Sequence, residues 1–499
     1  MTGDRYIPKL ETPEPLSHPI SGAPVIDNSQ NFELPFNIDD LPRLSLYNLA
    51  EISQIEQPLG RRSITEKRAF SYPPIVFRSK TGVIYNDIII KGGGAEISPN
   101  SALYDQEAYD NDRVFGTVSE LNGNKVRFHF KPIKSLTSYL GVHDIKSGWL
   151  DYKMSNYLAS RGLRTRELIA AWELPKDAKL STPQGIISTA EFVEKTDVTP
   201  GLEAWAMRTK YRLHDVSRLI YEIGHIPEPD EPQITLNISK ISPNDTKYVG
   251  NTEYPCHVFV DGEFNDLQLS LIQSNLSELA NSISVRARLD EDSRFKQLSA
   301  NHGSIESLKS AQNFYKDYLP IFAQILGEQF AVMDINNAIS GMSNPQNISL
   351  LAELVDHDVT LINGKKLDNN GNFIDISPEK VALYNLFPNF EDNFIVQMRS
   401  GYYDLQRLIT DLNRTGMIRF SNEEITTVLR TYLDSFEKEL RRVPSKYAQR
   451  SADMTKEISI IENAVEPASP DSKAEAEDIF GVNWHKTYAK ILKEFLKQN

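Results

Sequence analysis

The sequence predicts an α+β protein of two lobes, with a β-rich lobe first and a mainly helical lobe after it. Short β-prone runs separated by turn residues begin near residue 70. One stretch, Lys146–Ser160, interrupts them with the i, i+3 and i+4 apolar spacing of a helix. From about residue 268 this helical spacing dominates the chain. Strands grouped apart from helices are typical of α+β folds.

The 499 residues divide into four predicted segments. Residues 1–60 are rich in Pro, Ser, Asn and acidic side chains, which favours an extended arm. Residues 61–235 are predicted to form the β-rich lobe, and residues 236–460 the helical lobe. Residues 461–499 are predicted to be a polar surface linker followed by a helix.

The first strands lead into a lysine and three glycines. Two β-prone runs, residues 75–77 and 83–85, flank a Lys-Thr-Gly turn, and an isoleucine run follows at residues 88–90. The chain continues with Lys91, Gly92, Gly93 and Gly94. Glycine N–H groups beside a lysine can bind an anion, although a flexible turn after a strand explains the same residues. Because the lysine precedes the glycines, the run matches neither a Walker A loop nor a dinucleotide fingerprint.

Further strands are predicted on both sides of the helix. A hairpin around Gly123 precedes it, and a buried strand at Leu168–Trp172 follows it. We expect a last strand pair at Gly185–Val193 and Ala204–Arg212. Strands, one helix and then more strands favour a small α+β lobe.

Three arginines lie at the end of this lobe: Arg208, Arg212 and Arg218. In a chain with a net charge of −14, a local concentration of arginines can bind phosphate groups. Solvated or salt-bridged arginines explain the same cluster. The residues alone leave both interpretations open.

The second half of the chain is predicted to be mainly helical after a proline-rich linker or inserted hairpin at residues 227–268. Its apolar side chains recur at helical spacing in six stretches. The predicted helices are Leu267–Ile283, Ile305–Leu326, Glu328–Ile339, Tyr402–Leu412, Glu423–Leu440 and Trp484–Leu496.

The stretch Asn344–Asp358 lies between these helices and carries two candidate oxygen ligands. Asn347 ends a proline-containing turn, and Asp356 follows an apolar run that alternates as a strand does. A short strand or tight hairpin would hold the Asn347 amide and the Asp356 carboxylate near one point. An amide oxygen and a carboxylate can form half of a Mg²⁺ shell that nucleotide phosphates complete. An asparagine-rich turn before a buried strand is also ordinary scaffold.

Composition narrows the function classes and the compartment. The net charge of −14 argues against a nucleic-acid-binding body, because phosphate neutralisation needs clustered Lys and Arg. No apolar run reaches the length of a membrane span, and the first residues lack the layout of a signal peptide. The single cysteine, Cys256, fits a reducing compartment. We therefore expect a cytoplasmic protein without nucleic-acid or membrane partners, of unknown oligomeric state.

Eight short motifs resemble those of one known family. Ile90–Gly94 is similar to Leu-Lys-Gly-Ala-Gly, and Gly162–Arg166 is similar to Gly-Ile-Pro-Thr-Thr-Arg. Ala204–Arg208 resembles Ala-Met-Val-Leu-Arg, and His214–Arg218 resembles His-Val-Arg. Gly341–Leu351 is similar, without gaps, to Gly-Val-Met-Asn-Thr-Asp-Asn-Met-Ser-Ile-Leu. Val355–Asp358 falls on Ile-Asp-Tyr-Gly, Asp368–Phe373 resembles Asp-x-x-Gly-Arg-Tyr, and Tyr384–Leu386 resembles Trp-Asn-Leu. Their shared order resembles that of the selenoprotein O family, which are protein adenylyltransferases with a protein-kinase-like fold.

The resemblance implies a bilobed protein-kinase-like fold that binds ATP and Mg²⁺ between its lobes. The implied reaction transfers AMP to Ser, Thr or Tyr hydroxyls of protein substrates. By resemblance, the lysine and arginines bind phosphate, one aspartate pairs with the lysine, and an Asn and an Asp bind the metal. The implied residues are Lys91 with Gly92, Gly93 and Gly94, Asp151, Arg208 and Arg218 with Arg212 as a substitute, Asn347 and Asp356.

Three positions and one segment depart from the family pattern. The family's Gly-His-Gln-Phe-Gly segment upstream of the lysine is not present, and Arg61 and Arg62 occupy that region. Gln346 stands where the family has the aspartate that accepts the hydroxyl proton, and a neutral amide is not a base. Asp151 replaces the glutamate that pairs with the lysine, and Asp358 replaces a glycine. Two alternatives therefore remain beside the adenylyltransferase: a phosphate-transferring protein kinase using the same site, and a catalytically inactive pseudokinase scaffold that binds nucleotide or a partner.

Overall fold

The structure is a computed structural model of the chain. It describes residues 23–38, 69–71, 75–92, 114–121, 124–130, 143–182, 185–196, 198–213, 215–216, 234–236, 266–339, 347–358, 360–368, 370–375, 401–402, 404–406, 408–409, 411–413, 416–448 and 493. Most of the predicted arm at residues 1–60, Cys256 and the predicted helix Trp484–Leu496, apart from Lys493, lie outside the described residues.

The described chain is α+β, with strands predominating before residue 213 and helices after residue 266. The strands are β1 (Ile26–Asp27), β2 (Phe32–Glu33), β3 (Ala69–Ser71), β4 (Phe77–Ser79), β5 (Ile84–Tyr85), β6 (Asp87–Lys91), β7 (Val114–Leu121), β8 (Asn124–Phe130), β9 (His143–Asp144), β10 (Glu167–Glu173), β11 (Lys179–Thr182), β12 (Gly185–Ser188), β13 (Pro200–Met207), β14 (Ile234–Leu236), β15 (Ala338–Ile339), β16 (Leu361–Ile362), β17 (Lys365–Leu367) and β18 (Phe373–Asp375). The helices are α1 (Ile145–Ala159), α2 (Thr189–Thr196), α3 (Asp266–Ala287), α4 (Ser293–His302), α5 (Leu308–Ile335) and α6 (Asn422–Leu440).

The main sheet has the strand order β1-β10-β13-β6-β3, and β9 also pairs with β13. Strand β6 runs antiparallel to both of its neighbours, with Lys91 opposite Glu203 of β13. Its three isoleucines are at most 2% exposed, as a central strand covered on both faces requires. The strand therefore holds Lys91 at a fixed position in the middle of the sheet.

Helix α1 joins the sheet to the helical part of the chain. Asp144 caps its first turn, because its carboxylate accepts a hydrogen bond from the Lys146 N–H at 3.3 Å. Ile145 packs in the cluster around Trp205 of β13. Further along, three apolar residues of the helix, Leu150, Met154 and Leu158, join the core of the helical half. One helix thus contacts both cores.

Several predicted elements differ from the structure. The predicted strand Ala204–Arg212 is β13, which ends at Met207, and the predicted helix Glu328–Ile339 ends at Ile335. The predicted strand Gly185–Val193 ends at Ser188 and continues as helix α2, where Ser188 Oγ accepts from the Glu191 N–H at 3.1 Å. The two helices predicted on either side of Gly327 are one helix, α5. A Cβ at Gly327 would overlap the Tyr432 backbone of α6, so this glycine allows close helix packing and does not end the helix.

The helical half is built around α5, which packs against α3, α4 and α6. Its aromatic side chains include Phe314, Tyr318 and Phe322, which stack in sequence. Short pieces of the predicted helix Tyr402–Leu412 are helical where the structure describes them. Within the described ranges, every helix is too short or too polar to cross a lipid bilayer.

Candidate functional site

Lys91 and Asp356 form a direct ion pair, although 265 residues separate them in the sequence. Lys91 is the last residue of β6, and Asp356 lies in the loop that follows α5 and β15. Lys91 is 6% exposed and Asp356 is 7% exposed. The sheet and the helical half therefore meet at two predicted site residues of opposite charge.

Asp151 of α1 is the third predicted residue that lies beside Lys91 and Asp356. Its Oδ2 lies 3.8 Å from the Lys91 ammonium, within the distance of an ion pair. Its Oδ1 accepts hydrogen bonds from the Ser155 hydroxyl at 3.1 Å and from the His357 N–H at 2.9 Å. Asp151 thus contacts the lysine and also holds the backbone of the residue after Asp356.

Arg166 ends the Gly162–Arg166 motif and belongs to the site, although the sequence assigns it no role. Its Nη2 donates to Asp151 and, at 2.5 Å, to Asp356, and its guanidinium lies 4.1 Å from the centre of the Trp205 ring. The side chain is fully buried, and its Nε and Nη1 have no hydrogen-bond partner among the described residues. The signal in the sequence was an arginine placed just before the buried run of β10, where a charge needs a buried partner.

The two described arginines of the predicted trio have different partners. Arg212 Nη1 donates to Asp356 Oδ2 at 3.0 Å. Arg208 instead donates to Glu353 at 2.9 Å and to Glu291 at 2.7 Å. Arg212 therefore belongs to the cluster around Asp356, whereas Arg208 ties the end of β13 to the helical half.

The loop from Asn347 to Asp358 is a tight backbone hairpin. Ile348 forms an antiparallel bridge with Leu354, and the Val355 N–H donates to the Asn347 carbonyl at 2.9 Å. Asn347 is therefore paired with the residue just before Asp356, as the hairpin interpretation predicts. Asp356 has a φ of 61°, a left-handed conformation that is uncommon outside glycine and costs backbone energy.

The charges around Asp356 change its acidity. Burial raises the pKa of Asp356, but Arg166, Lys91 and Arg212 outweigh burial and hold the pKa well below its ordinary value. Burial likewise raises the pKa of Asp151, and Arg166 and Lys91 bring it below its ordinary value. Both carboxylates are therefore charged at neutral pH, next to three cations.

Asp358 contacts helix α1. Its Oδ2 accepts a hydrogen bond from the Ser147 hydroxyl at 2.6 Å. Burial, followed by the charge of Asp151, raises the pKa of Asp358. The aspartate that replaces the family glycine thus links the loop to α1.

The remaining predicted residues fall into two groups. Gly92 is described: its φ is 85°, and a Cβ there would overlap the Gly201 carbonyl, so the backbone itself requires this glycine. Gly93, Gly94, Arg218 and Gln346 lie outside the described residues.

The side chains of the cluster differ in their fit to phosphate and to a metal ion. Lys91, Arg166 and Arg212 supply three positive charges, and Asp151, Asp356 and Glu203 supply three carboxylates beside them. A phosphate group could therefore bind these cations only by replacing some of the carboxylate contacts. No group of three or more His, Cys, Asp or Glu side chains suited to a metal ion occurs in the part of the chain that the structure describes. A metal ion at Asp356 would therefore need further ligands from the Asn347 amide, phosphate oxygens or water.

Two comparisons with known proteins found no match. No protein-family model matches the sequence. No curated protein matches it either. The resemblance to the selenoprotein O family therefore remains a prediction.

Proposed function

We propose that the protein is an ATP- and Mg²⁺-dependent adenylyltransferase with a bilobed protein-kinase-like fold, which transfers AMP to Ser, Thr or Tyr hydroxyls of proteins. One observation carries the proposal: the Lys91 ammonium contacts the Asp356 carboxylate, with Asp151 3.8 Å from the same ammonium. A strand lysine, a helix acid and a loop acid in one buried cluster are the parts from which kinase-like sites are built.

The predicted side chains have separate roles in this proposal. Lys91 and Arg212 neutralise phosphate charge, while Asp151 orients Lys91. Asp356 and Asn347 would hold Mg²⁺, which supplies charge neutralisation on the phosphates when it is bound. Arg208 is assigned a positioning role, because Glu353 and Glu291 occupy its donors.

The proposed step is a displacement at the α-phosphorus of ATP. The acceptor oxygen forms the new O–P bond, the bond between the α-phosphorus and the bridging oxygen breaks, and pyrophosphate leaves. Gln346 accepts no proton, so the hydroxyl proton passes to solvent. General-base help is worth about 10²–10⁴-fold, and we expect transfer to be slow by roughly this factor relative to an enzyme with a base.

A second candidate function is a nucleotide-binding pseudokinase scaffold. The observation that favours it is the saturation of Asp356, whose carboxylate contacts Lys91, Arg166 and Arg212. Binding a metal would require one or more of these contacts to break. The neutral Gln346 at the predicted base position favours the same alternative.

The test is parallel labelling of protein with α-labelled and γ-labelled ATP in the presence of Mg²⁺. Transfer of the α-label that is lost in Asp356→Asn supports adenylylation, and transfer of the γ-label alone supports a protein kinase. No label, together with a thermal shift caused by ATP and Mg²⁺, supports the scaffold. Neither label nor thermal shift contradicts a nucleotide site altogether.

Asp375→Asn is a matched control for Asp356→Asn. Asp375 is an exposed aspartate of β18 that pairs with Lys365 at 3.3 Å. Removing its charge should leave labelling and thermal shift unchanged. A loss in both variants would show a general effect of charge and would contradict a specific role of Asp356.

A further inference from the structure

Helix α1 crosses strand β13 at a point where both backbones carry glycine. A Cβ at Gly201 of the strand would lie 3.0 Å from the Ile145 Cβ of the helix. A Cβ at Gly148 of the helix would overlap the carboxylate of Glu203 on the strand. The helix therefore lies closer to the sheet than side chains at these two positions would allow.

Glu203, which fills the space beside Gly148, is buried and makes its described polar contacts through Oε2, whereas its Oε1 has no hydrogen-bond partner among the described residues. The side chain is 0% exposed. The Trp205 indole N–H donates to its Oε2 at 2.8 Å, and His143 Nε2 lies 2.9 Å from the same oxygen. The carboxylate cannot swing away without losing these contacts, so a methyl group at Gly148 would displace the helix or the carboxylate.

Asp151 follows Gly148 by three positions, so both residues lie on the same face of α1. From there the Asp151 carboxylate reaches Lys91 at 3.8 Å and contacts Arg166. An aspartate is one carbon–carbon bond shorter than a glutamate, or about 1.5 Å. Its reach to two cations on the sheet therefore depends on how deeply the helix lies.

We propose that Gly148 is a positioning residue: it lets α1 lie deep on β13, so that the short side chain of Asp151 serves as the counter-ion of Lys91 and Arg166. The role of this counter-ion in nucleotide transfer rests on the proposed function. The geometric part of the inference is that the close approach allowed by Gly148 suits the short side chain of Asp151. This part concerns the fold alone and does not depend on the proposed function.

The experiment compares wild type with Gly148→Ala, Asp151→Glu and the double variant. Gly148→Ala lifts the helix and draws Asp151 away, and Asp151→Glu alone is too long for the deep helix. We expect each single variant to lower α-label transfer about tenfold to hundredfold, as misplacement by about 1 Å does. The double variant should return to within about threefold of wild type, because the longer acid restores the reach.

Urea unfolding of the same four proteins gives a readout that needs no nucleotide. Alanine favours a helix more than glycine does, so helix propensity alone would raise the urea midpoint of Gly148→Ala. A lower midpoint would therefore show that the added methyl group overlaps Glu203. Asn156→Ala, on the exposed side of α1, is the matched control; it should leave labelling unchanged and should not lower the midpoint, because alanine favours the helix. The double variant should recover part of the lost midpoint.

The outcomes separate this inference from the proposed function. If wild type takes no α-label, the proposed function fails, and the urea midpoints alone decide the inference. Recovery in the double variant supports it. Unchanged behaviour of Gly148→Ala, or a double variant as poor as the worse single variant, overturns it.

Discussion

The guanidinium of Arg166 lies 2.5 Å from the Asp356 carboxylate and also donates to Asp151. One buried arginine thus joins the acid of helix α1 to the acid of the loop after α5. Two carboxylates that share a site repel each other unless a cation lies between them. The arrangement that brings Lys91, Asp151 and Asp356 together therefore depends on a residue to which the sequence assigns no role.

Replacing Arg166 should destabilise the fold strongly. Arg166→Met leaves Asp151 and Asp356 buried without their shared donor, and removal of one partner of a buried pair costs about 3–5 kcal/mol. Urea unfolding at neutral pH measures this cost. Arg161→Met is the matched control, because Arg161 is exposed and its guanidinium lies over the Tyr157 ring. Equal stability of both variants would contradict the role given to Arg166.

The two described arginines after β13 should separate in their effects on nucleotide use. Arg212 contacts Asp356, so Arg212→Lys should raise the KM for ATP about tenfold or more, the effect of losing a charge-assisted hydrogen bond. Arg208→Lys should lower the urea midpoint and leave the KM nearly unchanged, because Glu353 and Glu291 hold that side chain. Labelling at varied ATP concentration checks both. A raised KM in Arg208→Lys with an unchanged KM in Arg212→Lys would indicate that Arg208, and not Arg212, binds phosphate.

Stability should fall in acid through Asp356. Its folded pKa lies below the unfolded value of about 3.9. The carboxylate therefore contributes stability in full above that unfolded pKa and loses it as the pH falls through the folded pKa. We expect the urea midpoint of wild type to fall below about pH 4 more steeply than that of Asp356→Asn. Parallel curves for the two proteins would contradict this.

Protonation of Glu353 should raise the stability of the folded protein in acid, whereas protonation of Asp356 lowers it. Burial raises the pKa of Glu353 above its ordinary value, despite the nearby Arg208. The folded protein therefore binds this proton first as the pH falls, which offsets part of the acid loss. Glu353→Gln removes the offset, and its urea midpoint should fall more steeply with acid than that of wild type. A shallower fall would show that the sign is wrong.

The buried ion pair of Arg286 and Asp87 should contribute as much stability as the contacts of Arg166 with Asp151 and Asp356. Arg286 of α3 donates to Asp87 of β6 at 2.6 Å and 2.8 Å, and both side chains are buried. Arg286→Met should cost about 3–5 kcal/mol in urea unfolding. Glu191→Gln, in the exposed pair with Lys195, is the control and should cost at most about 0.5 kcal/mol.

The sequence predicts the elements of this fold better than their contacts. Helices α1, α3 and α6 and strands β6, β10 and β13 follow from periodicity and β-prone runs, because their apolar residues repeat over enough positions to show a period. The single helix α5 is predicted as two, Ile305–Leu326 and Glu328–Ile339, which leave Gly327 between them. The helix has glycine at position 327 because the backbone of Tyr432, in a helix far along the chain, packs against it. The sequence around Gly327 carries no sign of this distant contact.

The candidate site was predictable only in part for a similar reason. The order of the family-like motifs predicts Lys91, Asp151 and Asp356 as site residues, and these three side chains lie together. Arg166 and Glu203 were not predicted, because a buried charge is recognised by its partners and the partners are distant in sequence. The hairpin at Asn347 was predicted from alternation, although only one bridge, Ile348 with Leu354, forms.

Strand β6 is anchored at both of its ends, by Asp87 to Arg286 and by Lys91 to Asp356. It also has a neighbouring strand on each side. A segment held in this way has no local route to solvent, so its amide protons should exchange with deuterium only when the entire molecule unfolds. The backbone amides of Ile88, Ile89 and Ile90 should then be among the slowest to exchange, and their rate would give the global unfolding free energy directly.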